Sequence, residues 1–412
     1  MNQYKLKDVA ISQTGPFGSQ LHEEDYVANG IPIVTVEHLG DIGFTTQNLP
    51  MVSEKDACRL KKYCLKKGDI VFSRVGSIDR NVYTKEDQEG WLFSGRCIRV
   101  RCDITKVNPR YLSFYFKLPS FKQMMFNRSV GATMPSLNTA IMDNLPLLLL
   151  NRNEQDKVAK ILGGIDDKIE NNNTIVAQLE SLAKTIYDYW FVQFDFPDEN
   201  GRPYKSSGGK MVWNERLQRE IPDGWETDIL SSLANFVTKK QDISILNENN
   251  YISNDNLIND MGGIKLSQYL PNVVSATEFI TRDILLGNIR PYFHKMWLSD
   301  REGGCSADVL VIRAKNQILS EYLYYALGNK SFFDYDMAGS KGSKMPRGDK
   351  THIMNFLICY REDLAIKFSE IVKPFITQIS YLRRENQQLA SLRDFLLPLL
   401  MNGQVSFKSD SI

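Results

Sequence analysis

The feature that most constrains this chain is that it is written twice. Residues 108–138 reappear, weakly, as residues 319–349: Tyr111 and Tyr322, Phe121 and Phe332, Gly131 and Gly342, and Met134-Pro135 and Met345-Pro346 share one offset of 211, which carries on to Asn144 and Asn355. Chance does not hold one register over that many positions, and an internal repeat fixes architecture before any local motif does. Upstream, GDIVFSR (Gly68–Arg74) is matched by RDILLGN (Arg282–Asn288), and FSGRCIRVR (Phe93–Arg101) by GGCSADVLVIR (Gly303–Arg313), the offset drifting as loops change length. Matched segments read as scaffold, unmatched ones as the places where the halves differ. A length of 412 residues, against ~100–200 per domain, accommodates two such units.

Each half reads as short β-type runs (Ile31–Val36, Asp69–Phe72, Cys97–Val100; Asp283–Leu286, Val309–Ile312), then a short helical stretch around Tyr111–Phe126 or Glu321–Phe333. Each then ends in one long helical pattern. Val158, Leu162, Ile165, Ile169, Asn172, Val176, Leu179, Ala183, Ile186 and Trp190 alternate steps of four and three, the seam of a coiled coil. Phe368, Ile371, Phe375, Gln378, Leu382, Glu385, Leu389, Leu392, Leu396 and Leu399 do the same. For one such helix the plain reading is a core position in a bundle. Two seams of matching length predict that they pair with each other, antiparallel, with the polar Asn172, Gln378 and Glu385 fixing register at some cost in stability. Gly163-Gly164 and Pro374 fall at equivalent places and predict a bend near the start of each helix. From Ile165 to Phe191 the first helix has 27 residues, roughly 40 Å at 1.5 Å per residue, enough to act as a ruler. Between the halves, FDFPDENGRPYKSSGGKMVWNERLQREIPDGW (Phe194–Trp225) is rich in Gly, Pro and Ser and reads as an extended connector rather than a core element.

Catalytic signatures are missing where they would be expected. Gly208-Gly209-Lys210 is followed by Met211, with Tyr204 where a phosphate-binding loop needs glycine. Asn108-Pro109-Arg110-Tyr111 resembles the Asn-Pro-Pro-Tyr of amino-methyltransferases, but its third residue differs and no glycine-rich cofactor loop precedes it. There is no GxSxG, HExxH or Cys/His pairing. Six cysteines and four histidines show no zinc or disulfide spacing, so a reduced, cytoplasmic protein with no metal is expected. The first residues lack a signal peptide's apolar core, and no apolar run approaches the ~20 residues of a membrane span.

Lys+Arg 50 against Asp+Glu 49 gives a net charge of +1, which argues against a protein coated in positive charge. The charge is nevertheless uneven. Arg59, Lys61, Lys62, Lys66 and Lys67 fall in one acid-free stretch. Ala338–Lys350 carries Lys341, Ser343, Lys344, Arg347 and Lys350, and its counterpart Asn127–Asn138 carries Arg128, Thr133, Ser136 and Asn138. After the two matched strands come Arg74, Ser77, Arg80 and Asn81 in one half and Asn288, Arg290, Tyr292 and Lys295 in the other. Any one of these is a solvated surface charge by default. Their recurrence at one structural address, with divergent identity, points to phosphate donors and base-edge readers on two DNA modules of different preference.

These residues, and above all the connector together with GDIVFSRVGS and GATMPSLN, closely resemble the specificity subunit of bacterial type I restriction-modification enzymes along essentially the whole chain. The resemblance implies an α+β fold: two α/β target-recognition domains separated by a long antiparallel two-helix coiled coil, in a pseudo-two-fold repeat. On that plan the boundaries are 1–150 for the first recognition domain, 151–192 for its helix, 193–221 for the connector, 222–362 for the second domain, 363–404 for its helix and 405–412 for a tail. It also implies a non-catalytic subunit whose domains each read half of a split DNA site. Partners would be double-stranded DNA, two methyltransferase subunits and motor-nuclease subunits using S-adenosylmethionine, ATP and Mg²⁺, with no cofactor in this chain. Ile165, Ile169, Asn172, Val176, Leu179, Ile186, Leu382, Leu389, Leu392 and Leu396 would form the paired seam and dock partners. The alternative is a coiled-coil adaptor whose globules bind proteins; a third possibility is a chain that is itself the methyltransferase or nuclease.

Overall fold

The computed structural model describes residues 1–16, 20–131, 134–342 and 344–405. The chain divides into two units, Met1–Thr174 with Arg384–Ile412, and Ile175–Arg383. The sequence repeat becomes a repeat of strand order. In the first unit Ala10–Thr14, Cys97–Cys102, Ile70–Ser73 and Asn81–Tyr83 form an antiparallel sheet in that order; in the second, Ala234–Phe236, Val309–Ala314, Ile284–Gly287 and Met296–Leu298 do. Each unit adds a two-stranded pair, Asn2–Lys5 with Pro146–Leu149 and Glu226–Ile229 with Leu357–Tyr360. Each also has a second four-stranded sheet holding one parallel pair. The short helical stretches are two helices apiece, Pro109–Tyr115 and Pro119–Arg128, and Ser320–Leu327 and Lys330–Gly339. Pro119 opens the second of these, where its missing N–H costs nothing.

One buried ion pair marks the shared scaffold. Asp69 accepts two bonds from Arg101, both 2.7 Å, and Asp283 accepts two from Arg313 at 2.8 and 2.7 Å. Each carboxylate also accepts a backbone N–H, from Lys66 or Ile280, at 2.8 Å. The aspartate of the GDI and RDI motifs thus pins the sheet's two central strands through a bidentate arginine, the strongest form of such a pair.

The two long helices are Arg152–Tyr187, finished by a wider turn at Asp188–Val192, and Glu362–Met401. Neither Gly163-Gly164 nor Pro374 interrupts its helix. Gly163 serves close approach: a Cβ there would stand 2.6 Å from the Arg110 guanidinium carbon, and Arg110 donates to the Gly163 carbonyl at 2.9 Å while pairing with Asp167.

Two expected boundaries need correction. Phe194, Phe196, Ile221 and Trp225 are buried in the core of the second unit, so 193–221 is anchored in that core at both ends and carries a hairpin, Met211–Asn214 with Arg219–Pro222, between them. Its Gly, Pro and Ser content hid the aromatic anchors spaced around it. Likewise Leu6, Phe72 and Leu147 share one core with Leu162, Leu397 and Met401, so a cut at residue 150 passes through packed side chains. Among the described residues no helix is long and apolar enough to cross a membrane.

Candidate nucleic-acid interface

In each unit, two loops that the sequence presents separately are tied into one ridge. Val75, after the strand Ile70–Ser73, bridges Ser136, which also bridges Val130. Gly76 N–H donates to the Pro135 carbonyl at 2.9 Å and Leu137 N–H to the Arg74 carbonyl at 2.9 Å. The second unit repeats this at the equivalent positions: Ile289 bridges Arg347, Arg347 bridges Lys341, and Arg290 N–H donates to the Pro346 carbonyl at 2.8 Å. The backbone connections are shared and the side chains they present are not.

The first ridge exposes Ser77, Arg80, Arg128 and Asn138, with Ser136 half-buried. The second exposes Tyr292, Lys341, Lys344, Arg347 and Lys350, with Arg290 half-buried. Asn138 caps the helix Thr139–Asp143, its Oδ1 accepting from Ile141 N–H at 2.8 Å. Lys341 pairs with Asp349 at 2.7 Å and Arg347 with Asp308 at 3.0 Å. The Lys341 ammonium, helped by the N–H groups of the helix that Asp349 caps, holds the Asp349 carboxyl down at about 2. Thr133 and Ser343 lie outside the described residues.

Four expected readers turn inward. Arg74 is half-buried and donates to the Gly95 and Leu137 carbonyls at 3.2 and 3.3 Å, acting as a clamp beneath the ridge. Asn81 and Asn288 are buried, on or just beyond strands whose neighbours cover them. Lys295 donates to the Asn254 carbonyl at 2.8 Å, and burial holds its ammonium below the ordinary lysine value. The repeat supplies the address of these residues but not their facing. Conversely Met134 and Met345, which the repeat marks as scaffold, are 60% and 48% exposed at the two ridge tips. They present apolar surface of the kind that packs on a thymine methyl. The basic stretch 58–68 is partly neutralised, Arg59 by Asp56 at 2.9 Å and Lys67 by Glu86 at 2.7 Å.

The long helices pair antiparallel. In the first unit Asp166 meets Arg393 at 2.9 Å, Lys168 meets Glu385 at 3.4 Å, and Asn172 donates to Glu385 at 2.6 Å and Asn386 at 2.8 Å. In the second, Glu180 meets Arg383 at 2.6 Å, and Val176 and Leu179 pack on Ile379 and Leu382. Ile169, Asn172, Val176 and Leu382 are buried; Ile165, Leu179, Ile186, Leu389 and Leu396 are partly so. Asn172 is the polar seam residue expected. Gln378 is exposed and outside the seam, and Leu392 is 46% exposed, its place taken by Arg393, Leu397 and Leu400. A heptad row drifts by about 20° per heptad on a straight helix, so three and a half heptads after Phe368 the written row has turned roughly 70° away from the contact.

Among the described residues no group of three or more His, Cys, Asp or Glu is placed to hold a metal, and the six cysteines are free. Residues 1–181 match the family described as the type I restriction modification DNA specificity domain. The type I restriction enzyme MjaIX specificity subunit of Methanocaldococcus jannaschii is 25% identical over 72% of this chain and 68% of its own length. The HindI specificity subunit of Haemophilus influenzae is 21% identical over 92% of this chain and 95% of its own. The crystal structure of a type I restriction-modification S subunit from M. genitalium superposes with a TM-score of 0.59 at 14% identity, covering 97% of this chain and 96% of that one, and so shares the fold. With a repeated sheet order, a paired-helix seam and these matches, the chain is similar in sequence and fold to the specificity subunits of type I restriction-modification enzymes, and its residues 1–181 match their DNA specificity domain.

Proposed function

We propose that this subunit reads DNA for a complex whose chemistry is carried out by its partners. Each ridge contacts one half of a split, asymmetric site, and the paired helices set the unread spacer and dock two modification subunits, with motor-nuclease subunits completing a cytoplasmic assembly. S-adenosylmethionine, ATP and Mg²⁺ belong to those partners. The observation that carries this reading is the conserved backbone bridge at one address in both units, presenting Ser77, Arg80 and Arg128 in one and Lys341, Lys344 and Arg347 in the other. A shared frame with divergent donors is what two readers of different sequence require.

The complex assembled with modification subunits is expected to bind DNA with an affinity that falls steeply with salt, because each phosphate contact releases counterions. Lys344→Ala and Arg347→Ala should each lower the slope of log affinity against log salt by about 1 if the side chain neutralises a phosphate. The isolated chain, with a net charge of +1, should bind weakly. Salt-insensitive behaviour of the complex would instead favour an adaptor. Lengthening both helices by one heptad should lengthen the unread spacer, and methylation at an unchanged spacing would refute the ruler.

A further inference from the structure

Beneath the ridges the two units differ at three matched positions. The first unit has Arg74, Met125 and Leu137, the two apolar side chains fully buried. The second has Asn288, Asp336 and Gly348 there. A Cβ on Gly348 would collide with Asp336 Oδ1 and stand 2.9 Å from Asn288 Oδ1, so both oxygens border the space that a leucine fills in the other unit. Asp336 is 0% exposed and Asn288 8%. Among the described residues neither Asp336 carboxylate oxygen has a hydrogen-bond partner, nor does Asn288 Oδ1.

Three buried acceptors with no donor are costly to leave unmet. His352, on the next helix, lies near Asp336 but makes no hydrogen bond to it among the described residues; its Nε2 lies 2.9 Å from the Tyr335 carbonyl. Burial pushes the Asp336 carboxyl up to about 6, with His352 pulling it back, so the group still ionises at neutral pH. A buried charge needs a counter-charge.

We propose that Asn288, Asp336 and the space over Gly348 form a site for one monovalent cation, sodium or potassium. A single carboxylate with neutral oxygens suits one positive charge, whereas divalent ions gather several carboxylates. The ion would tie the helix Lys330–Gly339 to the end of the strand Ile284–Gly287 and to the chain beside Arg347, bracing the second ridge and not the first.

The test needs no DNA and therefore stands apart from the reading function. The full chain is melted at constant ionic strength in tetramethylammonium chloride, whose cation is too large for the site, while sodium or potassium chloride replaces it. Thallium(I) is then located by anomalous scattering in crystals. A saturable rise in melting temperature of several degrees is expected, with one thallium between Asn288 and Asp336. Asp336→Asn should abolish both. Should that variant fail to fold, Asp336→Met with Gly348→Leu rebuilds the first unit's packing and should melt identically in all three salts. The proposal is overturned if the wild-type chain melts alike in all three salts, if either variant keeps the response, if thallium binds elsewhere only, or if submillimolar Mg²⁺ takes the same site.

Discussion

Exchanging residues 74–81 and 128–138 together for those of a relative is expected to give a complex that methylates a site new in one half and unchanged in the other. The two loops must move as a pair. Val75 bridges Ser136, and the Gly76–Pro135 and Arg74–Leu137 backbone bonds fix one loop against the other. Exchange of either loop alone should therefore lose the original half-site without gaining another. Exchange of all of 1–150 is a harsher operation, because it cuts the core in which Leu6 and Leu147 pack with Leu162 and Leu397. A mismatched base pair costs about 1–3 kcal/mol, so two lost contacts should weaken the original half-site by at least about thirtyfold. Mapping the adenines methylated by the reconstituted complex reads both halves at once. A change in the second half-site, or none in the first, would contradict independent reading.

The repeat offset made the scaffold legible, because residues at matched positions, such as Asp69 and Asp283, make matched bonds. The heptad made Asn172 legible as a polar residue of the seam, where it donates to Glu385 and Asn386. Facing was not legible: a residue at or next to a strand end points in or out according to pleat and neighbours, so Asn81 and Asn288 are buried while Arg80 is exposed. Nor could the seam be followed to Leu392, since the written period and the helical period differ. The connector misled because Phe194 and Phe196 alternate with Asp195, which Ser206 satisfies with two bonds of 2.6 and 2.7 Å, and the turn residues beyond masked that alternation. The near-neutral total also gains a local explanation. Asp166 is held by Arg393, and Asp167 and Glu170 by Lys85, so acids on the first helix are engaged in structural pairs. Basic character is left to the ridges, where Lys344 and Lys350 are exposed.

Arg290→Gly is expected to strengthen the fold while weakening recognition of the second half-site. Where the first unit has Gly76 at φ 79°, the second has Arg290 at φ 54°, with each N–H donating to the proline carbonyl of the matched loop. A left-handed conformation costs a side-chain-bearing residue roughly 1–2 kcal/mol, and Arg290 also precedes Pro291, which disfavours helical backbone before it. Its Nε is buried with no hydrogen-bond partner among the described residues, a further penalty in this state. Glycine removes both costs and returns part of the gain as flexibility of the unfolded chain, leaving a net stabilisation of about 1 kcal/mol. Backbone strain held against a cheaper alternative that the same chain uses elsewhere marks a side chain kept for what it contacts. Losing a base-reading arginine should cost about 1–3 kcal/mol at that half-site, a tenfold to hundredfold drop in affinity. Arg290→Lys retains the strain and the charge but not the planar fork, so it should melt like the wild-type chain and still relax discrimination. Thermal melts and methylation of sites altered in one half separate these outcomes. A destabilised Arg290→Gly chain, or one that methylates the second half-site as before, would show that Arg290 is there to hold the loop and not to read DNA.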